Sequence, residues 1–243
     1  MKRALAVWGM LALLAFLALQ LFFVLRITTM LAIDPQSTSL ERSEVWRVWH
    51  QPAKPLAWEQ QWVPYEQIAE PLKRAVIASE DSDFVYHGGF DWDAMEKAWK
   101  KNTQTQAKPV QRSRNGKVRP PKIMGASTIT QQLAKNLFLS GERHLLRKGQ
   151  EFVLTMALEL VLSKQRILEI YLNSVEWGEG VFGAEAAAQH YFQKSAAKLS
   201  AYEAARLAVM LPQPKYFENA LNKGYLHSRA QTIMARMADA ELP

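Results

Sequence analysis

Glu80 and Asp81 close an apolar helical run, AVIAS, and open the stretch EDSDFVYHGGFD, which adds Asp83, His87 and Asp91. Carboxylates beside an imidazole are the side chains that take and return protons near neutral pH. Acidic residues at the C-terminal end of a helix also meet unfavourable dipole electrostatics, so their presence asks for a reason. Two other readings stand beside acid–base chemistry. One is a solvated surface turn. The other is a cation held by Glu80, Asp81 and His87, whose spacing matches no strong ligand pattern.

A second group lies in GASTITQQLAKN, residues 125–136. Helical spacing stacks Ile129, Leu133 and Leu137 into a buried face and sets Ser127, Gln131 and Lys135 in a parallel polar stripe, flanked by Thr128 and Gln132. Hydroxyls, amides and an amine near a helix N-terminus suit sugar hydroxyls and phosphate oxygens. Solvated faces more often carry Glu, Lys and Arg. The third group is Arg143 with RKGQE, where Arg147 and Glu151 are four apart and can pair on one helical face. By itself such a pair is a common surface feature.

Two further patterns do not carry chemistry. Gly178 to Gly183 spells GxGxxG, but a dinucleotide site needs that turn between a buried strand and a helix, and the preceding YLNSVEW does not read as one. Turn glycines are the better reading. Ser195 to Lys198 spells SxxK, with no KTG after it, and reads as a Ser-capped helix start.

The elements that would position these groups are helical. Apolar residues recur at three and four from Ile68 onward, and the spacing predicts helices near 67–79, 90–101, 126–138, 143–163, 164–173, 183–192, 199–210 and 225–239. The fold class is therefore mainly α. Ahead of the domain, Ala4 to Leu25 forms an apolar run of 22 residues with Gln20 its only clearly polar side chain. That suffices to cross about 30 Å of hydrocarbon. A cleaved signal peptide would be shorter and end in small residues, whereas Phe22, Phe23 and Leu25 occupy the exit. Lys2 and Arg3 before the run place the N-terminus in the cytoplasm and the remainder outside. The expected order is a tail over 1–3, a membrane helix over 4–25, a Trp-bearing connector over 26–63 and one domain over 64–243. Trp46 and Trp49 in the connector could share a helical face.

Charge is distributed unevenly. The 243 residues carry 30 Lys and Arg against 23 Asp and Glu, yet ten of the cations fall between Glu96 and Glu142, where no acid occurs. Nine of them lie in residues 97–122, whose polar, Pro- and Gly-containing part from 102 reads as a long mobile loop. With Trp92 and Trp99 nearby, the expectation is that this segment lies against anionic headgroups or gates a cleft. The chain has no cysteine, which excludes disulfides, Cys–zinc sites, iron–sulfur ligation and a thiol nucleophile.

Taken in order, EDSDFVYHGGFD, GASTITQQLAKNLF, RKGQE, KQRILEIYLN, GVFGAEAAAQHYF and LSAYEAARLAVMLPQP resemble the peptidoglycan glycosyltransferases of the penicillin-binding-protein type, glycosyltransferase family 51, over roughly residues 64–220. The resemblance implies a lysozyme-like α domain after a single membrane helix, with its site outside the cytoplasmic membrane. It implies lipid II and the growing glycan strand as substrates, membrane lipids and cell-division or elongation proteins as partners, and no nucleic acid. By motif position Glu80 is the base and Glu151 the second essential carboxylate. Lys135 and Arg143 would meet the pyrophosphate, while Ser127, Thr128, Gln131, Gln132 and Asn136 would line the sugar and phosphate path. Asp81, Phe84, His87 and Arg147 support them. No cofactor is required, and a divalent cation, Mg or Mn, is an optional participant that Asp81 would help hold. The basic segment before GASTITQQ is longer than the resemblance leads one to expect, so no role is carried over to it. Two alternatives stay open: a lytic or lysozyme-like glycosidase acting on finished peptidoglycan, and an anchored, non-enzymatic module that binds polyanions.

Overall fold

A computed structural model describes residues 1–50, 58–106, 125–139, 145–219 and 224–243. The apolar run forms helix α1 (Lys2–Thr29), long and apolar enough to cross a membrane. Its end is not a free tether. Ile27 and the following Met30 are buried in the core of the domain, Phe23 meets Phe138 edge-on at 5.4 Å, and Arg166 donates from Nε to the Met30 carbonyl at 2.8 Å. Where a polar connector was expected, a second helix forms, α2 (Ser39–His50). Thr38 and Glu41 bond reciprocally at its start, which satisfies two of the backbone donors that every helix N-terminus leaves open. Trp46 and Trp49 do lie on that helix, and both are exposed.

The domain is built on α3 (Glu70–Glu80), α5 (Ile129–Phe138), α7 (Lys164–Ser174), α9 (Ala201–Met210) and α11 (Gly224–Met237). The expected stack of Ile129, Leu133 and Leu137 is fully buried, and it joins Leu72, Val76, Ile167, Leu168 and Leu207 in one core. Helix α6 (Leu145–Val161) packs on α5 and on α1, while α3, α9 and α11 pack on one another. Helix α4 (Trp92–Gln106) runs beyond the expected boundary at 101, so residues 102–106 are helical rather than loop. Residues 107–124, with most of the basic segment, lie outside the described residues.

Side chains cap the helix starts, so that α5 and α9 begin two to three residues later than expected while α7 begins at the expected Lys164. Thr128 caps α5, Ser163 caps α7 and Ser200 caps α9. Ser195 caps a short 3₁₀ turn, in keeping with its reading as a helix start. The glycine pattern is a hairpin: β2 (Glu176–Gly178) pairs antiparallel with β3 (Val181–Phe182), and β1 (Glu59–Gln60) adds a parallel edge. Gly183 then begins α8 (Ala184–Phe192) at φ 84°, where a Cβ would stand 2.7 Å from the Asn173 carbonyl oxygen. Only glycine fits that close approach between α7 and α8. A five-residue helix, α10 (Pro214–Glu218), lies against β2. The fold is mainly α.

Candidate active site

Asp81 organises the turn after α3. Its Oδ1 accepts from His87 Nε2 at 2.8 Å, and its Oδ2 accepts from the Ile129 backbone N–H at 2.9 Å, the first residue of α5. The His87 ring is fixed in one tautomer, because Nδ1 accepts from the Gly89 N–H at 3.2 Å and leaves the proton on Nε2. Phe84 is fully buried beneath the same turn, and the Lys164 ammonium stands 4.5 Å from its ring centre. A carboxylate at a helix N-terminus is favoured by the dipole, so the unfavourable end of α3 is balanced by the favourable start of α5. These contacts do not fit a cation: both oxygens of Asp81 and both ring nitrogens of His87 are engaged by protein. Among the described residues no three His, Asp or Glu side chains gather in a metal-holding group.

Glu80, one residue earlier, points elsewhere. It is half-buried, with Oε2 accepting from Gln132 Nε2 at 3.0 Å and Oε1 beside Ser79 Oγ at 3.3 Å. The amide oxygen of Gln132 in turn accepts from the Tyr171 hydroxyl at 2.9 Å. Tyr171 is fully buried, and burial holds its phenol protonated well above the usual range, so it keeps the proton that it donates to Gln132. That fixes the orientation of Gln132 and presents its NH₂ to Glu80. Burial raises the Glu80 carboxyl above its ordinary range. The Gln132 and Ser79 hydrogen bonds oppose this, neighbouring Asp81 adds to it, and Arg229 on α11 opposes it.

The polar face of α5 differs from the expected stripe. Ser127 precedes the helix and is exposed. Thr128 and Gln131 are buried and form a capping box: Thr128 Oγ1 accepts from the Gln131 N–H at 3.2 Å, and Gln131 Oε1 accepts from the Thr128 N–H at 3.0 Å. Thr128 Oγ1 also donates to the Gly89 carbonyl at 2.7 Å. Their first duty is therefore to start α5 and fasten it to the Asp81 turn. Lys135 is exposed and Asn136 buried, one turn further on.

On α6 the expected pair is present, with Arg147 Nη1 3.2 Å from Glu151 Oε2, and Lys148 donates to the other oxygen of the same carboxylate. Glu151 is buried at 4% exposure, so it is an ion-paired carboxylate in the wall rather than a surface feature. Arg143 lies outside the described residues.

Two cavities meet at Ser127. One, of about 600 Å³, is lined by Glu80, Asp91, Ser127, Thr128, Arg229 and Arg236. The other, of about 470 Å³, is lined by Ser127, Gln132, Lys135, Arg147, Glu151 and Glu176, with Gln131, Asn136 and Lys148 also on its wall. Gln132 touches the second cavity while binding the carboxylate of the first, so Glu80 stands at their junction. A proton acceptor thus faces a space whose neighbour is rich in cations.

Sequence reasoning missed Glu176, Arg229 and Arg236. Glu176 lies only three residues after the motif YLN, yet nothing local marks it. Its place depends on the β2 hairpin and on Lys215 of α10, whose Nζ is 3.2 Å from Oε1. Arg229 and Arg236 are seven apart on α11, a spacing that shares one face, but the face they look onto belongs to α3 and α5.

The transglycosylase family profile matches residues 51–238. The chain is 52% identical over 230 residues to the biosynthetic peptidoglycan transglycosylase of Burkholderia thailandensis, covering 94% of this chain and 84% of that one. It is 50% identical to the protein of the same name from Paraburkholderia xenovorans, over 97% of this chain and 92% of the other. With the one from Herminiimonas arsenicoxydans the identity is 52%, over 99% and 98%. A profile match across most of the chain, together with relatives at half identity along most of their length, shows that the chain belongs to the transglycosylase family.

Proposed function

We propose that the joined cavities carry out peptidoglycan glycosyl transfer, polymerising lipid II into linear β-1,4 glycan strands with inversion at the donor MurNAc C1. The observation that carries the proposal is the position of Glu80. It is a half-buried carboxylate, oriented by Gln132, at the junction of an open cavity and a cationic one.

In this reading the acceptor's GlcNAc 4-hydroxyl lies in the Glu80 cavity and the donor pyrophosphate lies against Lys135, Arg147 and Lys148. Arg143 joins them by motif position. The hydroxyl proton passes to Glu80, the O4–C1 bond forms, and the C1–O bond breaks with its electron pair leaving on undecaprenyl pyrophosphate. Burial serves the base, because a carboxyl raised toward neutrality takes a proton more readily than a solvated one. The cations serve the leaving group, whose charge grows as the bond breaks, so that they bind the transition state more strongly than the ground state. Glu151 holds Arg147 and Lys148 in place. No step is routed through a metal ion, since the Asp81 turn does not fit one. Helix α1 anchors the chain in the cytoplasmic membrane; the cations Lys2 and Arg3 support a cytoplasmic N-terminus and an external domain.

The test is conversion of lipid II into lysozyme-sensitive glycan by the purified chain, with Glu80→Gln as control. General-base loss is expected to cost about 10²–10⁴ in turnover. Near-normal activity of Glu80→Gln would remove Glu80 from its role. Release of fragments from finished sacculi without use of lipid II would favour a glycosidase instead.

A further inference from the structure

Gln20 is the one clearly polar side chain between Ala4 and Leu25, and it has a specific partner. Its Nε2 donates to Gln150 Oε1 at 3.1 Å, and Gln150 Nε2 donates back to Gln20 Oε1 at 3.0 Å. Both amides are half-buried, and they join residues 130 apart in the chain. Gln150 sits on α6 between Arg147 and Glu151, in the helical turn that carries the cations of the second cavity.

The remaining contacts between α1 and the domain lie on the same face. Gln20, Phe23, Ile27 and Met30 are spaced by three and four, with Phe23 against Phe138 and Ile27 and Met30 in the core. Apolar packing tolerates small slides along a helix axis. A reciprocal amide pair does not, because a shift of one residue, about 1.5 Å, misaligns both hydrogen bonds. Losing one amide in an apolar environment would orphan the other. Gln20 also lies five residues before Leu25, about 7.5 Å inside the end of the apolar run. At the start of the same helix Leu145 and Leu146 are exposed at 90% and 85%, an apolar surface beside the junction with α1.

We propose that Gln20 and Gln150 are positioning residues that set the height of the Arg147–Lys148–Glu151 cluster relative to the bilayer, matching it to a pyrophosphate whose own height is set by a long polyprenyl tail. The inference rests on the transfer reaction and membrane anchorage proposed above. It assigns to the membrane helix a part in substrate recognition beyond tethering.

The test compares two substrates with full-length protein in phospholipid vesicles: lipid II with its long tail, and a short-tailed, water-dispersible analogue. Gln20→Leu is expected to raise KM for the long-tailed substrate about tenfold while kcat stays within about twofold, and to leave the short-tailed substrate unchanged. Gln150→Leu should behave alike, and the double variant should be no worse than either single one. Gln20→Asn keeps an amide but is too short to span the gap, and it should share the Gln20→Leu phenotype on both substrates. Equal losses on both substrates, or no loss on either, overturn the proposal. Failure of the wild-type chain on both substrates overturns the transfer reaction itself, a result distinct from a selective change in the variants.

Discussion

Glu176 offers a quantitative check on the electrostatics of the second cavity. Its side chain is 10% exposed, and its nearest cation, Lys215, is shared with Glu44 at 2.6 Å. Burial pushes the carboxyl up to about 7. Lys215 pulls the other way, Glu44 adds repulsion and Arg47 weakly offsets it. In the unfolded chain the group ionises at its ordinary value of 4.5. Between those two values the folded chain keeps a proton that the unfolded chain has released, so stability falls as pH rises through the window. The loss is complete above about pH 8 and amounts to about 3 kcal/mol as an upper bound, at 1.36 kcal/mol per unit. Glu176→Gln is neutral at every pH and escapes it, and Lys215 keeps Glu44 as a partner. Melting curves of the two proteins in detergent should differ little at pH 5. At pH 8 the Gln variant should melt higher, by at most roughly 6–12 °C, given about 2–4 °C per kcal/mol for a domain of this size. An offset of the same size at both pH values, or a Gln variant less stable at pH 8, would refute the assignment of a buried, ionisation-averse carboxylate.

Gln132→Ala removes the hydrogen bond that opposes burial at Glu80, so the Glu80 carboxyl should rise further. The acid limb of kcat/KM should then move to higher pH, read from a full pH–rate profile, and an unmoved limb would show that Gln132 does not tune the base. Gly89→Ala forces a Cβ to 2.7 Å from Thr155 Cγ2 at a φ of 87°, and should cost about 2–4 kcal/mol in urea unfolding from strain and overpacking together. Asp81→Asn, which cannot accept from both His87 and the α5 backbone with full charge, should lower melting temperature and turnover together, whereas loss of turnover alone would point to direct contact with substrate.

What the sequence revealed and what it hid divide along chain distance. The Arg147–Glu151 pair was legible because both partners sit on one helix four residues apart, and the buried stack of α5 was legible from its period. The start of α5 was misplaced because Thr128 and Gln131 read equally well as members of a polar stripe. Only the capping box shows that their hydrogen bonds are largely spent on backbone. Asp81 was open as a cation ligand for a related reason: a carboxylate next to a histidine looks alike whether its oxygens face a metal or, as here, the first N–H of a helix 48 residues later.

The chemistry itself depends on still longer connections. Glu80 is oriented by Gln132, 52 residues away, and Gln132 by Tyr171, a further 39 residues on. Periodicity places Tyr171 on a buried face, but no local pattern says that its hydroxyl fixes an amide on another helix. The reach from Gln20 to Gln150 is longer again, and it reverses the usual reading of a polar residue in an apolar run. Taken along the chain, Gln20 weakens the membrane helix. Taken across the fold, its cost is offset by a partner on α6, and two bonds near 3 Å join the anchor to the cation-bearing turn. On the proposed reading, that connection would let the reactive carbon and the tail of one substrate be positioned together.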